Sequence, residues 1–138
     1  MKNNLMADVE DRLVRSLSET SPGRVHDTRI CDAEEPVFPS DIGLFQDTGF
    51  QGYPPAGVHI YQPKKKPKGK ELTPEEKAEN TIIASMRSLI EHIIAGVKRC
   101  RIVKDVLRNT KLYFADQVME IACGLHNFRT TLRYNTLE

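Results

Sequence analysis

The 138-residue sequence predicts a small α/β fold, a modest mixed sheet packed by one long helix and a C-terminal helix. Three observations lead there. Short apolar segments that partly alternate occupy the first half, as strands do. Two long stretches with apolar residues at helical spacing fill the second half. The resulting order is strand, strand, helix, strand, strand, long helix, helix, the pattern of a sheet covered by helices.

Taken in turn, NLMADVE and RLVRSLSE are short segments flanking Asp-Arg and read as a strand pair joined by a tight turn. SPGRVHDT is turn chemistry. Asp27 or Thr28 then caps a short helix through TRICDAEE that stops at Pro36. DIGLFQD is a brief apolar strand, GFQGYPPAG a Gly/Pro-rich loop and VHIYQ another short strand. Residues 63–72, PKKKPKGKEL, form a basic loop broken by proline. LTPEEK begins a helix, with Thr73 as N-cap, Pro74 at the first position and Glu76 three residues after the cap. That helix is expected to run to about Arg101, its buried face formed by Ile83, Met86, Leu89, Ile90, Ile93, Ile94 and Val97. A second amphipathic helix spans about 112–132, with Phe114, Val118, Ile121, Ala122, Leu125 and Phe128 as its apolar line.

Composition sets limits. At 39% hydrophobic and 28% charged, with no Trp, the chain has the balance of one soluble globular domain over residues 1–138. No apolar run approaches the ~20 residues needed to span a bilayer, so no membrane partner is expected. Three widely spaced cysteines, Cys31, Cys100 and Cys123, suit reduced thiols in a cytoplasmic setting better than a disulfide framework. The charge is uneven. Residues 1–57 hold five Lys and Arg against ten Asp and Glu, a net −5; residues 58–138 hold fifteen against nine, a net +6. That asymmetry suits a carboxylate site beside a surface for polyanions, and equally two complementary halves.

Arg87, Glu91 and Lys98 raise a sharper question. At about 100° per residue, Glu91 lies about 40° and Lys98 about 20° around the helix from Arg87. The three therefore form a line along the border of the buried face. Asp47 ends the strand GLFQD and precedes T-G-F-Q-G-Y, and ligands of open α/β sheets sit at carboxyl ends of strands. If the long helix packs on the sheet, Asp47 and Glu91 can meet. Two carboxylates brought together call for a cation, and an all-oxygen site suits Mg²⁺ or Mn²⁺. Arg87 and Lys98 would then hold a phosphate-bearing substrate.

Plainer readings stand beside these. An Arg–Glu pair at i, i+4 is ordinary helix-surface decoration worth roughly 0.2–0.5 kcal/mol. An Asp before Gly is a common turn former. Lys64, Lys65, Lys66, Lys68 and Lys70 make either a solvated loop or a contact for nucleic-acid backbone. His26 and Asp27 have capping as their default role. Cys123-x-x-His126 lacks the partners of a zinc site.

PGRVHDTRI, QDTGFQGY, PKKKPKGKELTPEEKAEN, SMRSLIEHIIAGVKRCRIVKD and MEIACGLHNFR, in that order, resemble bacterial insertion-sequence transposases of the DDE superfamily, relatives of the Harbinger type. The most specific element is Arg87, three residues, Glu91, six residues, Lys98, which matches the R-E-K pattern around the third catalytic acid. That pattern usually has Tyr three residues before the Arg, where this chain has Ala84. The resemblance implies an RNase H-like catalytic domain, with Asp47 as the second acid, Glu91 as the third, and two divalent cations between them. It implies phosphoryl transfer on transposon inverted-repeat ends, with Lys98 and Arg87 on the DNA and residues 64–70 as a sequence-independent phosphate contact. His26 and Asp27 match a motif near such active sites and receive no role.

One departure from the family matters. Its first acid lies on an earlier strand, in an Asp-Gly context, and the chain is expected to lack both that strand and the N-terminal helix-turn-helix of many relatives. Asp8 and Asp11 sit in or beside the hairpin turn and are poor substitutes. The expectation is an incomplete RNase H-like domain, inactive by itself, from a bacterial protein associated with the nucleoid. Self-association or an upstream transposase fragment would complete it. The alternative is a non-catalytic remnant that binds DNA or transposase subunits.

Overall fold

The computed structural model describes residues 1–53 and 55–135. The elements are β1 (Leu5–Ala7), β2 (Val14–Leu17), α1 (Asp27–Glu34), β3 (Gly43–Phe45), β4 (His59–Tyr61), α2 (Pro74–Val97), α3 (Arg101–Lys104) and α4 (Phe114–Asn135). A 3₁₀ turn at Thr48–Phe50 follows β3. The chain is a mixed α/β protein of two compact units, Met1–Gly23 with Leu89–Glu138, and Arg24–Ser88. One point of the predicted fold is corrected. The described strands make two separate two-stranded sheets, β1–β2 and β3–β4, and not one mixed sheet.

In the first unit β1 and β2 pair antiparallel, Leu5 opposite Leu17 and Ala7 opposite Val14, with an irregularity between Met6 and Ala7. The strands are short because Asp8 and Asp11 bend the connection, accepting from the backbone N–H groups of Glu10 and Leu13 at 2.8 and 2.9 Å. Val14, Ile93, Val97, Ala122 and Cys123 form the core, flanked by Leu5, Ala7, Leu17, Ile90, Cys100 and Val103. Ile93 and Val97 are only 3% and 2% exposed, so the C-terminal part of the apolar face predicted for α2 is buried as expected.

The packed face of α4 agrees with the predicted line at Ala122 and departs from it at Ile121, Leu125 and Phe128. Ala122, Cys123 and His126 are buried, while Ile121 and Phe128 are 63% and 62% exposed and Leu125 and Leu132 lie open too. The reason is steric. The His126 imidazole lies directly over Gly96, where a Cβ would run into the ring. Small and flat residues let the two helices approach there, and a face of Ile, Leu and Phe would hold them apart. Arg129 reinforces the crossing by donating to the Gly96 carbonyl at 2.7 Å. Two polar side chains of α4 tie down the N-terminal segment. Asn127 accepts from the Val14 N–H at 2.8 Å and donates to the Val14 carbonyl at 2.9 Å. Asp116 accepts from the Thr20 N–H at 2.6 Å.

In the second unit β3 and β4 run parallel, Gly43 beside His59 and Phe45 beside Tyr61. The Phe45 and Tyr61 rings stack at 4.9 Å. The Tyr61 ring also covers Gly43, where a Cβ would come within 2.8 Å of it. The Gly/Pro-rich loop read at 49–57 includes Pro54, which lies outside the described residues.

The helix ends agree with the predicted ones at the start of α2 and differ elsewhere. Thr73 and Glu76 form the predicted capping box: Thr73 Oγ1 accepts from the Glu76 N–H at 3.2 Å, and Glu76 accepts from the Thr73 N–H at 3.0 Å. α1 is not capped by Asp27 or Thr28; His26 occupies the N-cap position with no side-chain cap bond. It ends before Pro36, because Glu35 turns left-handed at φ 44° and its N–H closes on the Cys31 carbonyl. The long helix stops at Val97 instead of about Arg101, and α3 begins after a break. No described helix is long and apolar enough to cross a membrane.

Candidate functional site

The candidate site in the second unit starts from the parallel β3–β4 pair. Beyond β3 the Gln46 N–H donates to the Tyr61 carbonyl at 3.0 Å, extending the ladder by one residue. The Gln46 side chain turns inward, buried, and accepts from Gln62 Nε2 at 2.7 Å. That inward turn leaves Asp47 facing outward at the carboxyl end of the strand pair. Asp47 then caps the 3₁₀ turn, its Oδ1 accepting from the Thr48 N–H at 2.8 Å. Thus the turn-forming and functional readings of Asp47 coexist in one residue.

Arg87 approaches the same carboxylate, Nη1 3.6 Å from Oδ1. The pair is about half exposed, which keeps its electrostatic energy low. Asp27 stands on another side. A Cβ on Gly49 would come to 2.5 Å from Asp27 Oδ2, so the Asp27 carboxylate presses against the backbone two residues after Asp47. His26 stays exposed and engages Thr28 Oγ1 at 3.0 Å. The Gly in T-G-F is therefore there for close approach.

Glu91 and Lys98 belong to the other unit; both are exposed. Among the described residues no group of three or more His, Cys, Asp or Glu side chains is placed to hold a metal ion. Carboxylate oxygens such as those of Asp47 and Glu91 are hard donors, the kind that Mg²⁺ and Mn²⁺ take.

The basic loop is more constructed than its composition implied. The Lys64 N–H donates to Asn80 Oδ1 at 2.9 Å, and Asn80 Nδ2 donates to the Lys64 carbonyl at 3.1 Å. Lys64 Nζ pairs with Glu79 at 3.1 Å, and that bond holds its ammonium above the usual lysine pKa. Lys66 lies 3.7 Å from Glu71, and Lys65 reaches Gln51 Oε1 at 3.5 Å. Sequence reading passed over Asn80. The one signal available is its spacing, because Asn80 lies seven residues before Arg87 and hence about 20° away on the same helix line. A hollow of about 370 Å³ lined by Cys31, Asp32, Tyr53 and their neighbours contains none of the predicted site residues. Burial in it, helped by the charge of nearby acids, pushes the Tyr53 phenol above its usual pKa.

The second unit thus sets a parallel strand pair ending in an exposed carboxylate beside an arginine and a lysine-rich loop, within a mixed α/β chain. The family is specific: residues 5–127 match the model described as DDE superfamily endonuclease, and the chain belongs to that family. It is similar to the probable transposase for insertion sequence element IS702 of Microchaete diplosiphon, at 31% identity over 111 residues. That match covers 80% of this chain and 40% of the relative, so the chain spans well under half of the relative's length. No solved structure matches the chain.

Proposed function

We propose that this chain supplies the phosphoryl-transfer surface of an insertion-sequence transposase, with Asp47 and Glu91 as the second and third acids of an RNase H-like site. The observation that supports this best is the Arg87–Asp47 pair at the carboxyl end of parallel strands. A guanidinium is built to receive phosphate oxygens through two parallel bonds. Its weak pairing with Asp47 keeps it in place until DNA arrives. Once Arg87 turns to the phosphate, Asp47 is released as an oxygen ligand. Lys98 adds a second positive contact to transposon-end DNA, and the loop at 63–72 a sequence-independent one. A divalent cation, Mg²⁺ or Mn²⁺, would be held by Asp47 and Glu91 and would neutralise charge on the transferring phosphate. What the chain's own residues contribute is positioning, the main source of acceleration in this chemistry.

Titration with Mn²⁺, followed by loss of the free-ion electron paramagnetic resonance signal, tests the assignment. Uptake should fall in Asp47→Asn and in Glu91→Gln. Equal uptake by both variants and the parent chain would overturn it, and DNA binding that survives Glu91→Gln would then favour a non-catalytic binding role.

A further inference from the structure

The five lysines of the basic loop are not equivalent. Asn80 makes two bonds to the backbone of Lys64, one accepted and one donated, as a neighbouring strand would. The loop therefore leaves β4 and is fastened to the second turn of α2 before its run of lysines begins. At its far end the Lys70 N–H closes on the Pro67 carbonyl at 3.3 Å, with Gly69 at φ 77°. A four-residue turn with glycine in that left-handed position at its third residue is the type II form, and it puts Lys68 at the tip. Fastened at one end and turned at the other, the segment is a shaped strap.

Charge is distributed unequally along it. Lys64 is engaged by Glu79 at 3.1 Å, with Glu75 and Glu76 also close enough to favour its charged form. A phosphate approaching Lys64 meets that acidic turn of α2 as well. Lys66 has Glu71 at 3.7 Å, and Glu71 also faces Lys77 at 4.0 Å. Among the described residues Lys65 reaches the neutral amide of Gln51, and neither it nor Lys68 nor Lys70 has a carboxylate partner.

We propose that Asn80 is a positioning residue for a DNA-backbone contact made by Lys65, Lys68 and Lys70, with Lys64 serving as the anchor of the loop and not as a phosphate ligand. This rests on the reading of the loop as a DNA contact and narrows it to three of its five lysines. Ordering the loop before binding removes part of the entropy that a flexible lysine tract would lose on meeting DNA.

The test is the affinity of the full 138-residue chain for a short duplex of arbitrary sequence, measured across a range of salt. Each lysine that displaces a counterion contributes about 0.9 to the slope of log K against log salt. Lys65→Met, Lys68→Met and Lys70→Met should each lower the slope by about that amount. Lys64→Met should leave the slope nearly unchanged. Asn80→Ala removes no charge, so it should weaken binding by roughly fivefold at constant slope, because the loop would then have to be ordered on meeting DNA. If the parent chain shows no salt-dependent binding, the DNA reading of the loop fails and this inference with it. If the parent binds but Lys64→Met lowers the slope as much as Lys68→Met, or Asn80→Ala binds as tightly as the parent, the DNA reading stands and the division of labour is wrong. Should Asn80→Ala prove misfolded by circular dichroism, the comparison of Lys64 with Lys68 decides alone.

Discussion

Asn127 and Asn80 make the same pair of bonds in different surroundings. Each is a helix side chain that accepts from one backbone N–H and donates to the carbonyl of the same residue. Asn127 does so to Val14, a core residue; Asn80 does so to Lys64, which is open to water. In the first unit water replaces the bonds less readily, because Val14 is buried and Asn127 half-buried. In the second, water can replace them at little cost. One geometry therefore secures stability in one unit and the aim of a charged loop in the other.

The largest effect should come from the core that surrounds Asn127. Ile93→Ala should cost roughly 2–5 kcal/mol in denaturant unfolding at unchanged slope, because the cavity sits beneath the helix crossing. Asn127→Ala should cost about 2–4 kcal/mol by the same measurement, two buried backbone groups being left unpaired. If instead it cost no more than Asn80→Ala, burial would not be what separates the two asparagines. Thr73→Ala removes half of the capping box and should lower stability by about 1 kcal/mol. Asn80→Ala should stay within about 0.5 kcal/mol of the parent in stability, whatever it does to DNA affinity.

The smallest effect concerns pH. Burial, with a lesser push from Cys100, raises the Cys123 thiol above its ordinary value of 9.0. An acid whose folded pKa is raised leaves stability intact below the unfolded value and removes it as pH climbs toward the folded one. Unfolding midpoints should hold up to about pH 9 and decline above it, and Cys123→Ala should flatten that alkaline decline.

Local chemistry was legible in the sequence, and long-range pairing was not. The capping box at Thr73 and Glu76 and the approximate places of all four strands follow from patterns a few residues long. The face of α4 was misjudged in part because bulk was taken for burial. Ala122 is buried as expected; Phe128 and Ile121 outrank Cys123 and His126 in apolar area, yet it is the His126 side of the helix that lies over Gly96. The division into two sheets likewise depends on which strands meet, a matter of tertiary packing. Asn127 left no local trace, and Asn80 only its helical spacing from Arg87, since the backbone each one fastens lies 113 or 16 residues away. Of the candidate site, the sequence suggested a meeting of Asp47 with Glu91; the pair that forms within one unit is Asp47 with Arg87, while Glu91 and Lys98 sit on the part of the chain that belongs to the other unit.

The exposed row on α4 has a practical outcome at the bench. Ile121, Leu125, Phe128 and Leu132 recur every three to four residues, so they form one continuous greasy ridge on a folded helix. An environment-sensitive dye such as ANS should light up on the native chain, and a phenyl-type chromatography resin should retain it. Either signal is commonly taken for loosened packing. Here both should persist while the near-ultraviolet circular dichroism of the tyrosines stays sharp, and Phe128→Ser should quench the dye without shifting the unfolding midpoint.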